Sequence, residues 1–511
     1  MRCSICGQAT DGRPSNFPRN IQMYFARTLT LGLLLAPLGL VRGAEPAANL
    51  PRPLPVTRPE LKQLIEDVKV RQPRIPLPEV TDAEREQLGT QADSYESRLR
   101  WHYLQGIDDG RTGGPGGRGA GAGPANTGRT SGFRGQPQDP NMTLDNAFKV
   151  ELFWIVSRAN NCQYCIGHQE SKLLAAGLTE DRIAALDSNW TEFKPEEQLA
   201  FAFARKYSFE PHLLSDADID GLRKYFTDAQ ILEMILSMAG NNSINRWKEG
   251  VGVPQRKDEG GYSRLDRGEG TLTPEQLAAS AKLPRGSYLT PTSPVYEKKV
   301  SRVAPLVIDK QTGEPTQATV NQRPPLETRT QVEEQLAKCR SRKSRLPLVE
   351  EAAARTVLAD KWKDPAPLPN WVRLLVHFPK TGVSRIATTV SSEEKGDLTP
   401  LMKAQLSWIV ARQDRAWYVL GLTRQRLLEL GQSEDQIFAL DGDWKEFTPR
   451  EQALFTVGRQ LGASPVVLTD AEVAKTVELA GPRDVVQAIS YITNRAAFNR
   501  ITEAAGLPLE K

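Results

Sequence analysis

Residues 177–198 read GLTEDRIAALDSNWTEFKPEEQ, and residues 431–452 read GQSEDQIFALDGDWKEFTPREQ. The two stretches stand 254 positions apart and are punctuated alike. A glycine able to end one helix comes first, and a hydroxyl residue suited to cap the next, Thr179 or Ser433, comes two positions later. A tryptophan follows, then Pro195 or Pro449, where another helix can begin because the missing N–H costs nothing in the first turn. Working outward, the match runs without gaps over 147–254 against 401–508, with 35 of 108 positions identical. A self-similarity of this length is a duplicated folding unit.

The repeat also extends upstream. Arg74-Ile75-Pro76-Leu77 resembles Arg345-Leu346-Pro347-Leu348 at an offset of 271, so the first repeat carries an insertion before residue 147. Residues 110–135 hold 11 glycines and no acid. Such a stretch lacks the apolar surface to offset its ordering entropy and reads as a flexible loop. Each repeat reads as helices throughout. Thr143 is expected to cap a helix running to about Ala159. A second is expected from about Cys162 to Ala176, stopped by Gly177. Thr179 opens a short third and Pro195 a fourth. Ser215 with Asp218, and Thr227 with Gln230, have capping-box spacing for two more. Residues 255–344 are polar and rich in proline and charge, and read as a disordered linker with one helix opened by Thr273-Pro274. The expected fold is all-α: two tandem helical domains, 74–254 and 345–508, packed as a pseudo-symmetric pair.

Composition narrows the function. In 511 residues, 66 Lys and Arg against 62 Asp and Glu leave a charge of +4, which excludes a dedicated nucleic-acid binder. Near the start, Leu29–Val41 is an apolar run preceded by Arg27 and followed by Gly43 and Ala44. The run is too short to span a bilayer and has the flanks of a signal peptide. Residues 1–44 are therefore expected to be removed on export, leaving a periplasmic or extracellular protein off the membrane. Cys3 and Cys6 would go with the leader. The remaining cysteines are one close pair and Cys339, which is not a disulfide framework. Cys339, in the basic run AKCRSRK, reads as incidental.

The close pair carries the chemistry, in Asn160-Asn161-Cys162-Gln163-Tyr164-Cys165-Ile166-Gly167-His168. Two thiols three residues apart share one side of a helix. In its first turn they meet unpaired N–H groups and the positive end of the dipole, which favour thiolate over thiol. His168 lies within reach of Cys165 as a base or proton relay. Glu151, on the preceding helix, can approach the thiols if the two helices pack antiparallel. A c-type haem is excluded because Ile166, not histidine, follows the second cysteine. A structural zinc, with only three local ligands, and a plain structural disulfide remain as alternatives.

The run ELFWIVSRANNCQYCIGHQESKLLAAGL, 151–178, resembles the alkylhydroperoxidase D-type (AhpD-like) branch of the carboxymuconolactone decarboxylase superfamily. The resemblance implies an all-helical, oligomeric protein that reduces hydroperoxides with a thiol donor and no metal or other cofactor. It implies Cys165 as the peroxidatic thiol, Cys162 as the resolving thiol, and His168 and Glu151 as the proton relay. Two spacings differ: the family histidine falls four residues after the second cysteine, where Gln169 stands, and the family glutamate twelve before the first, where Glu151 is eleven. In the second repeat Cys162, Cys165, His168 and Glu151 become Ala416, Val419, Leu422 and Gln405, while Trp154, Trp190, Phe193 and Pro195 recur. The recurring residues read as fold determinants and the four lost ones as a site used only once. The expected activity is a thiol peroxidase or dithiol oxidoreductase, taking a hydroperoxide and an unidentified thiol reductant. The other reading is a non-catalytic helical scaffold.

Overall fold

A computed structural model describes residues 49–105, 107, 139–257, 260, 272–308, 311, 315–316 and 325–510. The leader at 1–44 and the glycine-rich insertion at 110–135 lie outside these residues. The described chain is mostly helical. Its first part contains α1 (Arg58–Asp67), α2 (Asp82–Leu88), α3 (Tyr95–Tyr103), α4 (Asn146–Ala159), α5 (Gln163–Ala175), α6 (Glu180–Ser188), α7 (Pro195–Phe209), α8 (Asp216–Arg223) and α9 (Asp228–Val251). Two short helices follow, α10 (Pro274–Ser280) and α11 (Pro294–Glu297), then a two-residue antiparallel pair, β1 (Val307–Ile308) with β2 (Pro315–Thr316). The rest contains α12 (Arg329–Ser341), α13 (Glu351–Leu358), α14 (Asn370–Leu375), α15 (Thr381–Glu394), α16 (Pro400–Asp414), α17 (Trp417–Glu429), α18 (Glu434–Ala439), α19 (Pro449–Gly462) and α20 (Asp470–Ala504).

Most helix starts follow the sequence. Thr179 accepts from the N–H of Arg182, Pro195 opens α7, and Ser215 and Thr227 cap α8 and α9 in capping boxes. Thr273 caps α10. One cap differs: Asp145, not Thr143, accepts from the N–H of Phe148 and opens α4. Its side-chain oxygen meets that orphan donor directly, so the helix starts two residues later than expected. In α20 the backbone breaks at Gly481 (φ 78°), before Pro482, so this element is two helices joined at a kink. They stand where α8 and α9 stand in the first repeat.

The packing repeats with the sequence. Helix α4 packs on α5, α7 and α9, and α16 packs on α17, α19 and α20, its counterparts at the 254 offset. Trp190 Nε1 donates to Leu186 O at 2.8 Å and Trp444 Nε1 to Leu440 O at 2.7 Å. Buried Trp154 and Trp408 anchor the two cores. Helices α9 and α20 lie against each other, and contacts between the repeats come in exchanged pairs. Arg246 Nη2 donates to Gly462 O at 3.3 Å, and Arg500 Nη2 to Ser208 O at 2.9 Å. Arg74 Nε meets Asp470 Oδ1 at 2.5 Å, and Arg345 Nε meets Asp216 Oδ1 at 2.9 Å.

The linker reading of 255–344 needs correction. Residues 325–344 are folded: α12 packs on α17 and buries Val332, Leu336 and Cys339, which share one helical face. Leu509 N donates to Cys339 O at 3.1 Å, and Arg342 pairs with Glu503 at 2.9 Å. Residues 284–304 wrap the first repeat, burying Tyr288 and Tyr296. A few apolar side chains at the right spacing suffice to dock a polar stretch onto a surface already formed. The repeats therefore begin before residues 74 and 345. Thr57 and Thr328 cap α1 and α12 at the same offset of 271 as the two arginines.

Candidate functional site

Helices α4 and α5 form an antiparallel hairpin, and the dithiol sits at its turn. Asn161 takes the left-handed conformation (φ 57°), which asparagine tolerates better than most residues. Cys162 then serves as N-cap of α5, its N–H donating to Ser157 O at 2.9 Å. Cys165 follows one turn later, and the two sulfurs form a disulfide with Cα atoms 5.3 Å apart. The N–H of Cys165 points at Cys162 Sγ at 3.3 Å, so an orphan donor of the first turn is spent on sulfur. Both cysteines are buried, at 0% and 1% exposure. Among the described residues, no group of three or more His, Cys, Asp and Glu side chains could hold a metal ion.

The second repeat makes the same turn without sulfur. Arg415, the counterpart of Asn161, is also left-handed (φ 52°). Ala416 caps α17 with φ −83° and ψ 85°, against −90° and 88° at Cys162. Ala416 and Val419 are buried at 0% and 1%. The turn and its burial therefore do not depend on a disulfide.

The other two expected site residues, Glu151 and His168, stand on the two helices of the hairpin. Glu151 is eight residues before the end of α4, about 12 Å down the helix from the turn. It is buried and hydrogen-bonds Arg182 Nη2 at 3.3 Å, and Arg182 also pairs with Glu197 at 3.1 Å. Burial pushes the Glu151 carboxyl up to about 7, with Arg182 opposing the rise and Glu197 adding to it. It is thus a carboxyl poised between its two protonation states near neutral pH. His168 is half-buried and stacks on Tyr164, with centroids 6.5 Å apart. Lys248 lies over the Tyr164 ring at 4.3 Å. Gln169, where the family pattern has histidine, is buried, and its Nε2 is 3.4 Å from Asn241 Oδ1. Its Oε1 is buried without a hydrogen-bond partner.

Behind the turn lies a polar network that the motif reading missed. Asn160 Nδ2 donates to Asn242 Oδ1 at 2.8 Å and Asn245 Oδ1 at 3.0 Å, while Asn241 and Asn245 both donate to Ser157 Oγ. Asn160 Oδ1 accepts from Arg246 Nη1 at 3.3 Å and from Ser464 Oγ of the second repeat at 2.9 Å. Val466 N donates to Asn160 O at 3.3 Å. Every polar atom named here is bonded, as an apolar surrounding demands. The signal was present in the sequence as Asn241-Asn242-Ser243-Ile244-Asn245-Arg246, a polar run within a helix that buries nearly all of its length.

The chain matches no family model, and no curated protein matches it. Among the described residues, no helix is long and apolar enough to cross a membrane.

Proposed function

We propose that this chain is an exported thiol-dependent peroxidase or dithiol oxidoreductase of the AhpD-like type, with its chemistry in the first repeat and the second repeat packed on it as a pseudo-symmetric partner. The observation that carries this reading is the bonded Cys162–Cys165 pair at a turn that the second repeat builds equally well from Ala416 and Val419. A cross-link that its own fold does not require is retained for reactivity rather than for strength. The exchanged contacts between the repeats support the pairing, since an isologous interface presents the same patch from both sides.

In the reduced protein, the Cys165 thiolate attacks the terminal oxygen of a hydroperoxide. The O–O bond breaks, the alkoxide leaves and takes up a proton as alcohol, and Cys165 becomes a sulfenic acid. The Cys162 thiol then attacks that sulfur, water departs, and the disulfide forms. An external dithiol returns the pair to thiols by exchange. The positive end of the α5 dipole favours the thiolate form of the pair, and the Cys165 N–H is directed at Cys162 Sγ. Glu151, titrating near neutral pH, and His168 handle the protons. A non-catalytic scaffold is the second reading, favoured by the burial of both sulfurs.

The test titrates thiols in the reduced full chain and mixes it with cumene hydroperoxide. Two thiols lost per peroxide consumed is expected. Cys162→Ser should react once and leave a trappable sulfenic acid on Cys165, and Cys165→Ser should not react. The reverse assignment exchanges the two thiols' roles, and no reaction in any variant leaves the scaffold.

A further inference from the structure

The second repeat has no counterpart of the thiol pair, yet it holds the turn that carries it. Asn160 ends α4, just before the left-handed Asn161 and Cys162. Its Oδ1 accepts from Ser464 Oγ at 2.9 Å and its backbone O from Val466 N at 3.3 Å. Both donors lie between α19 and α20 of the second repeat. Ser464 Oγ also accepts from Arg246 Nη2 at 2.6 Å and from Arg500 Nη2 at 3.0 Å. A hydroxyl has one hydrogen and two lone pairs, so these three bonds use it fully. The Asn160 amide is saturated in the same way, its nitrogen on Asn242 and Asn245 and its oxygen on Arg246 and Ser464.

The other side of the turn is held from within the first repeat. Cys162 N donates to Ser157 O, and Ser157 Oγ accepts from Asn241 and Asn245 at 3.0 and 3.1 Å. The turn thus stands between two fixed points, one of them supplied across the junction of the repeats. At this position the hold runs one way. Asp414, the counterpart of Asn160, bonds Asn499 and Arg500 of its own repeat. The counterpart of Ser464 is Glu210, and a carboxylate has no hydrogen to donate to Asp414.

We propose that Ser464 is a positioning residue for the dithiol, acting through Asn160, so that the second repeat keeps Cys162 in place to meet Cys165. The inference rests on the reading of this pair as a reactive dithiol, but not on a hydroperoxide as its substrate. In the oxidised chain the S–S bond and the clamp hold the same turn; in the reduced chain the clamp holds it alone. Loss of the Ser464 hydroxyl therefore frees the reduced turn more than the oxidised one and moves the balance toward the dithiol. The coupling is reciprocal: whatever factor the clamp adds to the disulfide, the disulfide adds to the clamp.

The test equilibrates the full chain with mixtures of reduced and oxidised dithiothreitol. The Cys162–Cys165 disulfide and one reduced dithiothreitol give two protein thiols and the cyclic oxidised reagent. Alkylation followed by mass measurement of the peptide holding both cysteines reads the ratio. Ser464→Ala is expected to be reduced about fivefold more readily than the unaltered chain, the worth of one hydrogen bond. The substitution leaves no former partner bare: Arg246 keeps Gly462 O and Ala463 O, Arg500 keeps Ser208 O, and Asn160 keeps Arg246. Ser407→Ala, which removes a hydroxyl bonded to Thr423 inside the second repeat, should not move the equilibrium. In the unaltered chain, reduction should speed hydrogen exchange of the Val466 N–H by a similar factor, and this measurement decides if Ser464→Ala fails to fold. An equilibrium unchanged in Ser464→Ala, or shifted equally in Ser407→Ala, overturns the proposal. So does a Val466 exchange rate that ignores the disulfide. Failure of the chain to react with cumene hydroperoxide bears on the peroxidase reading alone, because no peroxide enters these measurements.

Discussion

Replacing Cys162 and Cys165 together by alanine and valine, the residues of the second repeat, separates chemistry from architecture. The disulfide spans a sequence separation of 3. Closing so short a loop removes little freedom from the unfolded chain, and the chain-entropy treatment gives about 2 kcal/mol. Truncating one buried sulfur to leave alanine adds about 1 kcal/mol for lost contact, and valine at 165 conserves volume within the spread of tolerated core exchanges. The expected cost is therefore about 2–3 kcal/mol against the oxidised protein and about 1 kcal/mol against the reduced one. Urea unfolding of the three species measures both differences, with an unchanged slope expected because the same surface is exposed. All thiol-dependent activity should vanish in the variant. A variant that fails to fold, or one that loses more than about 5 kcal/mol, refutes the argument: the cross-link would then be a staple, and the matching turn of the second repeat would be stabilised by something the first lacks.

Two further outcomes are expected. Glu151 is raised from its ordinary 4.5 to about 7, so its contribution to stability is fully present below 4.5 and is lost as pH rises through 7. Glu151→Gln should flatten that decline, worth up to about 3 kcal/mol, and identical pH–stability profiles for the two proteins between pH 4.5 and 7.5 would refute the burial argument. Leu336→Ala, in the stretch whose composition reads as linker, should cost about 2–5 kcal/mol in the same unfolding assay, whereas a value near zero would restore the linker reading.

Some of the site was legible and some was not, for physical reasons. The thiol pair could be read because three-residue spacing on a helix is local geometry. The position of Glu151 could not be read, because eleven residues of sequence say nothing about which neighbour a buried carboxylate meets. It meets Arg182, which lies on α6 and belongs to no motif. His168 and Gln169 differ by one residue, and on a helix that is about 100 degrees of rotation. The rotation puts Gln169 beside the asparagine network and His168 against Tyr164.

The duplication, the all-helical class and most helix starts can be read from the order of the residues alone. These rest on capping side chains, prolines and apolar spacing, all of which act within a few residues. The same order marks the first repeat as the one that keeps the thiols, because the second repeat is printed beside it as a comparison. Long-range packing, by contrast, is what assigns 325–344 to the second repeat, lays residues 300–304 across the first, and has Ser464 and Val466 of one repeat hold Asn160 of the other. Those outcomes depend on which surfaces meet across hundreds of residues. Burial energy is set by the partner surface as much as by the segment, and a polar stretch shows no sign of its partner until the chain has closed around it.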